Sequence, residues 1–410
     1  MTKRMEESMP LLLAAVLVAL SLGAAPVVDV ETAKTFDMRR PRAEDYASGP
    51  KPSRRVRAVL WGVTHNHARG KLEAMKKLKD DYEVVGIVDN TSSKVMRMVS
   101  EPDMKPYEGL PRFTPEQVLD EVKPDVVVIE VSNQELIDVA LKCAKAGIAM
   151  HMDKPLGFTL QGFREVSDIC RAGNIPLQTG YMFRANDAIQ FIVNEGRKGL
   201  VGEIFAIDAD LSHSYGGKRY VPYSSTYPSG TAYLLTCHVL EYVLPMMNEV
   251  MPEECRSIVM PAPGDPEGTP SHTLTIARWP RATCTVTVCS KGTQGRRHLR
   301  VDGSDGVMEL EPIEDFRRVR HTTGEEGGMQ VEAVDEEITV KLFLKKAKPP
   351  YVRGWNFLVF GKMGDRYAGQ LKELAQIVRG EIPNPRELYD HDLLVHRLSL
   401  QACNVDVNAK

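Results

Sequence analysis

The chain has 410 residues, 43% of them hydrophobic and 26% charged, with a formal net charge of −3. That length carries two domains, each with a core large enough to need no disulfide framework. A charge so close to neutral offers no basic field, which disfavours nucleic acid and anionic membrane surfaces as partners.

The N-terminus reads as an address. Lys3 and Arg4 precede an uncharged apolar run from Leu11 to Leu22, and the small residues Gly23, Ala24 and Ala25 follow. This is the layout of a secretory signal peptide over residues 1–25. The run is short for a membrane span, which needs about 20 apolar residues. Export to the periplasm or the exterior is expected, without stable membrane insertion once the signal is removed. Residues 26–54 contain Pro26, Pro41, Pro50 and Pro52 and no helix or strand period, so they read as a leader.

From Val56 the pattern becomes regular. Val56 to Gly62 reads as a buried strand ending at glycine. Ala68 to Lys79 has helical spacing through Leu72, Met75 and Leu78, and Glu83 to Asp89 is a second strand. Strand, turn, helix, strand, acid is the order of a dinucleotide-binding βαβ unit, in which the helix N-terminus holds the pyrophosphate. The turn itself, Gly62-Val63-Thr64-His65-Asn66-His67, keeps one glycine of the GxGxxG pattern. Gly62, Thr64, His65 and Asn66 are the candidate phosphate contacts, and a connection that binds nothing is the alternative. Asp89 is placed to accept a ribose hydroxyl and favours NAD over NADP. His65-x-His67 has the spacing of a metal pair, but no third ligand stands near it in the sequence, so no metal is expected.

Further along, Thr114–Val122 reads as a short helix and Pro124–Val131 as a strand buried on both faces, as parallel strands are. Ser132 and Asn133 end that strand, where they are expected to line the nicotinamide side of a bound dinucleotide. Glu135–Ala146 is helical, Ile148–Met152 is a strand, and Asp153-Lys154-Pro155-Leu156-Gly157 follows it. Thr159–Ala172 is a helix, and Pro176–Gly180 closes the sheet. The apolar segment Tyr233–Leu240 reads as a helix containing His238. The seven cysteines form no CxxC pair and read as small buried hydrophobes. Cys284 and Cys289, oddly spaced on one strand, should face opposite sides.

These segments resemble the glucose-fructose oxidoreductase/inositol dehydrogenase/MocA (Gfo/Idh/MocA) family. Asp153-Lys154-Pro155-Leu156 is similar to the family's EKPL signature with Asp for Glu. Gly180–Arg184 followed by Gly199–Ile204 is similar to the opening of its second domain, and Ser229-Gly230 with Cys237-His238 to its GG…H segment. The likeness runs over roughly residues 56–400. It implies an α/β chain: a Rossmann parallel sheet over 55–178, then at 179–410 a substrate domain built on a large, mostly antiparallel open sheet. It also implies a nicotinamide cofactor, a sugar, polyol or related alcohol as substrate, and a homo-oligomer formed through the open sheet.

Oxidation of a secondary alcohol needs a group on the alcohol oxygen that can hold or carry its proton. Lys154 sits where the family places its lysine, after a parallel strand at the ligand-binding edge, beside Asp153. His238 matches the family's site histidine. Many members carry aspartate four residues before that histidine, and this chain has Leu234. His213, Tyr215 or Tyr223 would then complete the site or line a sugar pocket. Arg184 reads either as a substrate or cofactor contact or as a structural ion pair. The leading expectation is an NAD-dependent oxidoreductase acting on a carbohydrate. The alternatives are a glycoside hydrolase that oxidises and re-reduces its substrate with retained NAD, and a non-catalytic sugar-binding relative.

Overall fold

The computed structural model describes residues 33–39, 52–96, 103–214, 220–292, 295–314, 316–320, 329–333, 336–362 and 365–407. The signal-peptide segment and Tyr215 lie outside them. In chain order the elements are β1 (Lys34–Asp37), β2 (Val56–Trp61), α1 (Ala68–Lys77), β3 (Tyr82–Val88), β4 (Val126–Ile129), α2 (Asn133–Lys145), β5 (Ala149–Met152), α3 (Leu160–Gly173), β6 (Leu177–Thr179), α4 (Asp187–Arg197), β7 (Ile204–Asp210), α5 (Tyr220–Ser224) and α6 (Thr231–Met246). Then follow β8 (Glu254–Met260), β9 (His272–Arg278), β10 (Thr283–Cys289), β11 (His298–Gly303), β12 (Gly306–Leu310), β13 (Phe316–Arg320), β14 (Met329–Ala333), β15 (Ile338–Leu344), β16 (Gly354–Gly361), α7 (Ala368–Val378) and α8 (Glu387–Ala402). Where the sequence suggests a helix at 114–122, residues Gln117–Val122 form a π-helical turn.

The first sheet has five parallel strands in the order β3-β2-β4-β5-β6. All four residues of β4 and all four of β5 are buried, as the apolar runs require of strands covered on both faces. The order reverses between β2 and β4, which opens a crevice at their carboxyl ends. Gly62 stands at that point with φ +101°; a Cβ there would lie 2.4 Å from the Glu130 carbonyl oxygen, so glycine is what lets β2 and β4 end side by side.

The second sheet has nine strands, β1-β16-β15-β12-β11-β7-β10-β9-β8, antiparallel except for the β1–β16 and β7–β10 pairs. Alternating residues of its strands pack with α4 and α6 into one core that includes Ile189, Ile192, Val239, Val243, Val286 and Val340. Cys284 is buried and Cys289 half-buried on β10, on opposite faces as their spacing requires, and all seven cysteines are free. A segment of the leader departs from the expectation: Lys34–Asp37 adds an edge strand to this sheet.

The last two helices return to the first domain. Ala368, Leu371, Leu374 and Ala375 of α7 share a core with Val56, Leu60, Leu72 and Met75, and α8 packs on α3 and α6. A division near residue 178 therefore parts the two sheets except for β1, and does not part the helices around them. Helix α6 is buried nearly all round because it lies between the domains. No described helix is long and apolar enough to cross a membrane.

Candidate functional site

The carboxyl ends of β2, β4 and β5 meet the first turns of α6 around a cavity of about 50 Å³. His65, Asn66, His67, Asn133, Lys154, His213, Tyr223, Leu234, His238 and Arg297 are among the residues that line it. The structure thus brings seven of the candidate site residues to one cavity, His65, Asn66, Asn133, Lys154, His213, Tyr223 and His238, while Gly62, Thr64, Asp89, Ser132, Asp153 and Arg184 do not line it.

Lys154 follows β5 and is buried. Its Nζ donates to the Leu234 carbonyl at 3.2 Å. The missing aspartate is therefore replaced not by another side chain but by a backbone acceptor one turn before His238. His238 is buried too, and its Nδ1 has no hydrogen-bond partner. Burial first, then the nearby Lys154 charge, hold its pKa well below the ordinary histidine value, so it is a neutral imidazole with an unmet polar atom in the cavity wall. Asn133, the first residue of α2, donates through Nδ2 to the Pro155 carbonyl at 2.6 Å, and its Oδ1 is likewise without a partner. Ser132 caps α2 by accepting from the Gln134 N–H.

The turn after β2 keeps uncommitted backbone donors despite its missing glycines. The Gly62 and Val63 N–H groups are used by Val88 and by the Asn90 side chain. Those of Thr64, His65, Asn66 and His67 donate to no acceptor among the described residues, and they stand at the N-terminus of α1. Asp89, after β3, accepts from the Thr91 N–H and lies 3.4 Å from Arg112 Nη1. A carboxylate favours a free ribose hydroxyl and a neighbouring arginine favours a 2′-phosphate, so this pair does not by itself select NAD over NADP.

Beneath the turn lies a buried polar cluster that the sequence reading missed. Lys71, on the inner face of α1, donates to Glu130 Oε1 at 2.9 Å and contacts His151 Nε2; its Nζ is also 3.6 Å from Asp153 Oδ1. His65 Nδ1 lies 3.0 Å from Glu130 Oε2 and 3.3 Å from Asp153 Oδ2, and His67 Nδ1 lies 3.1 Å from Asp153 Oδ2. Third and fourth ligand-type side chains therefore do stand beside the His65–His67 pair, against the expectation from its sequence neighbours. They come from the ends of adjacent parallel strands, which only the strand order juxtaposes. Burial opposes ionisation of Asp153, but His67, Lys71 and His65 outweigh it and hold its carboxyl well below the usual range. Burial lowers His67 to about 4, with Asp153 working the other way.

Of the remaining candidates, His213 lines the cavity with Arg297 Nη2 about 3.0 Å from its ring nitrogens. Tyr223 lines it within an aromatic group that includes Tyr220 and Tyr227. Arg184 is not among the lining residues. Its guanidinium is held by Glu241 at 2.9 Å and Asp392 at 2.7 Å, with Thr179 Oγ1 at 3.4 Å, so it is the structural ion pair rather than a ligand contact.

A parallel sheet with a switch-point crevice, joined to a large, mostly antiparallel open sheet, defines a two-sheet α/β fold. Residues 56–181 match the model of the Gfo/Idh/MocA oxidoreductase family, NAD-binding Rossmann fold. Among solved structures, GenD2 from gentamicin A biosynthesis, in complex with NAD, is similar at a TM-score of 0.64 and 14% identity, over 88% of this chain and 97% of its own. KijD10, a 3-ketoreductase from Actinomadura kijaniata solved with NADP, is similar at 0.63 and 14% identity, over 83% of this chain and 95% of its own. UDP-N-acetylglucosamine 3-dehydrogenase GnnA from Acidithiobacillus ferrooxidans is similar at 0.60 and 15% identity, over 86% of this chain and 98% of its own. No curated protein matches the chain.

Proposed function

We propose that the protein is an NAD(P)-dependent oxidoreductase acting on a secondary alcohol of a sugar or polyol. The carrying observation is the cavity wall: Lys154 and a neutral His238 with an unmet Nδ1 share it, next to four unspent N–H donors at the switch point. Those donors fit a diphosphate, and Asp89 fits a ribose hydroxyl. The bound nicotinamide supplies the hydride acceptor for alcohol oxidation, or the donor for the reverse reaction. Lys154, tethered by the Leu234 carbonyl, holds the alcohol oxygen. Neutral His238 accepts the hydroxyl proton through Nδ1. Asn133 Oδ1 is a second acceptor for a polar ligand. Tyr220, Tyr223 and His213 give the cavity the mixed aromatic and polar lining that suits a sugar. The named activity of the UDP-N-acetylglucosamine 3-dehydrogenase of similar fold supports a sugar substrate.

Either NAD or NADP is proposed as the cofactor, since Asp89 favours a free ribose hydroxyl and the neighbouring Arg112 a 2′-phosphate. Export is part of the proposal, from the Lys3–Ala25 pattern. Export also favours a second reading, redox-neutral sugar cleavage with a cofactor that never leaves. In that case nucleotide stays with the protein through purification and a glycoside is cleaved without net change in nucleotide redox state. Assembly through the open nine-stranded sheet is likewise proposed. The deciding experiment is Lys154→Met assayed with a sugar panel and added NAD(P): turnover is abolished while the circular dichroism of the fold is kept. Unchanged turnover would remove Lys154 from the mechanism.

A further inference from the structure

We infer that His65, His67, Glu130 and Asp153 form a site for one divalent transition-metal ion of the zinc–manganese class, at the floor of the crevice. Four ligand atoms, one from each residue, lie within 4.8 Å of one another. His65 Nδ1 lies 3.0 Å from Glu130 Oε2 and 3.3 Å from Asp153 Oδ2, and His67 Nδ1 lies 3.1 Å from Asp153 Oδ2. A tetrahedral ion bound at about 2.0–2.1 Å needs edges of about 3.3–3.4 Å. Three of the six edges already stand near that length and the others lie within 4.8 Å, so the set can close on an ion by movement of the side chains.

The surroundings supply what a metal site needs beyond its ligands. Each carboxylate is divided between two tasks. Glu130 Oε1 and Asp153 Oδ1 face Lys71 Nζ, at 2.9 and 3.6 Å, which turns Oε2 and Oδ2 toward the imidazoles. Lys71 is fixed in turn by His151, whose Nδ1 lies 2.9 Å from Gln178 Oε1. This is a second shell that orients the first. Glu130 and Asp153 are buried, so bulk water does not compete for their oxygens, whereas His65 and His67 reach the cavity and leave an ion one side open to a ligand. Imidazole and carboxylate without thiolate suit Zn²⁺, Mn²⁺, Fe²⁺ or Co²⁺ rather than Cu⁺, Ca²⁺ or Mg²⁺. The competing arrangement is a closed ion-pair network in which the Lys71 ammonium is the sole cation.

The site is tested on the full chain without nucleotide, so its failure and that of the oxidoreductase reading are separable. Chelator-treated protein is titrated with Co²⁺ followed by visible absorption, and with Zn²⁺ and Mn²⁺ by calorimetry. One ion per chain is expected, with ligand-field bands of a nitrogen–oxygen site and no thiolate charge-transfer band. His67→Gln and Asp153→Asn should each weaken binding by more than the roughly 10–100-fold typical of a second-shell change. Melting without metal shows whether each variant is folded. Should a variant not fold, X-ray absorption of the wild-type Co²⁺ form decides: two imidazoles and carboxylate oxygens support the site, and a sulfur ligand overturns it. Failure to bind any of the three ions, or binding that folded variants leave unchanged, would show the cluster to be the closed network.

Discussion

Replacing Arg184 by methionine should cost stability far out of proportion to a single hydrogen bond. Its guanidinium bridges Glu241 of α6 and Asp392 of α8 at 2.9 and 2.7 Å, from the short 3₁₀ turn that links the two domains. The side chains of Glu241 and Asp392 are 5% and 1% exposed, so water cannot replace the lost partner. Methionine preserves most of the volume but leaves Asp392 with the Thr179 hydroxyl at 3.0 Å and Glu241 with His391 at 3.7 Å. Breaking a buried pair from one side costs about 3–5 kcal/mol. Loss of the cation over the Tyr181 ring, 5.6 Å away, adds about 0.5–2 kcal/mol. Urea unfolding followed by tryptophan fluorescence and circular dichroism would measure the loss. Adding Glu241→Gln and Asp392→Asn to the variant should recover part of it, because the stranded charges are then gone. A loss below about 1 kcal/mol, or no recovery in the triple variant, would refute the view that this ion pair pins the domains together.

His391 should make stability fall in mild alkali. Burial opposes its charge, but Glu241 and Glu249 raise its pKa from 6.5 to about 9. A raised folded-state value gives a contribution fully present below pH 6.5 and lost as pH rises through 9, worth at most about 3 kcal/mol and less because Glu249 is partly exposed. His391→Gln should flatten that slope in urea midpoints taken across pH 6–10; an unchanged slope would acquit His391. Gly62→Ala places a Cβ 2.4 Å from the Glu130 carbonyl oxygen at φ +101° and should cost about 2–4 kcal/mol by thermal and chemical denaturation, with a neutral result contradicting the close approach of β2 and β4. Asp89→Ser should raise the NADP-to-NAD affinity ratio by about tenfold, as removal of one repulsive charge beside Arg112 implies. No change in that ratio would place the adenosine ribose elsewhere.

Much of this was legible in the sequence where local pattern decides structure. The apolar run Val126–Ile129 announced a buried parallel strand, Ile148–Met152 the strand beside it, and the helical spacing of Glu135–Ala146 and Thr159–Ala172 the helices that follow them. What stayed hidden depends on residues distant in the chain. Lys34–Asp37 has no strand period because an edge strand with one pairing neighbour needs little apolar patterning. Lys71 looks like an ordinary surface lysine beside the apolar stripe of α1; it is buried because Glu130, 59 residues on, meets it. Arg184 could be read as ligand contact or ion pair until the fold showed Asp392 arriving from α8. The replacement for the absent aspartate was not legible because a backbone carbonyl, that of Leu234, leaves no mark in sequence.

The most direct measurement is calorimetric titration of the full chain with NAD and with NADP. The account predicts that at least one binds near one equivalent per chain, or that denaturation releases about one equivalent already held, and that Asp89 variants change the preference. A folded protein that neither releases nor binds either nucleotide would contradict it.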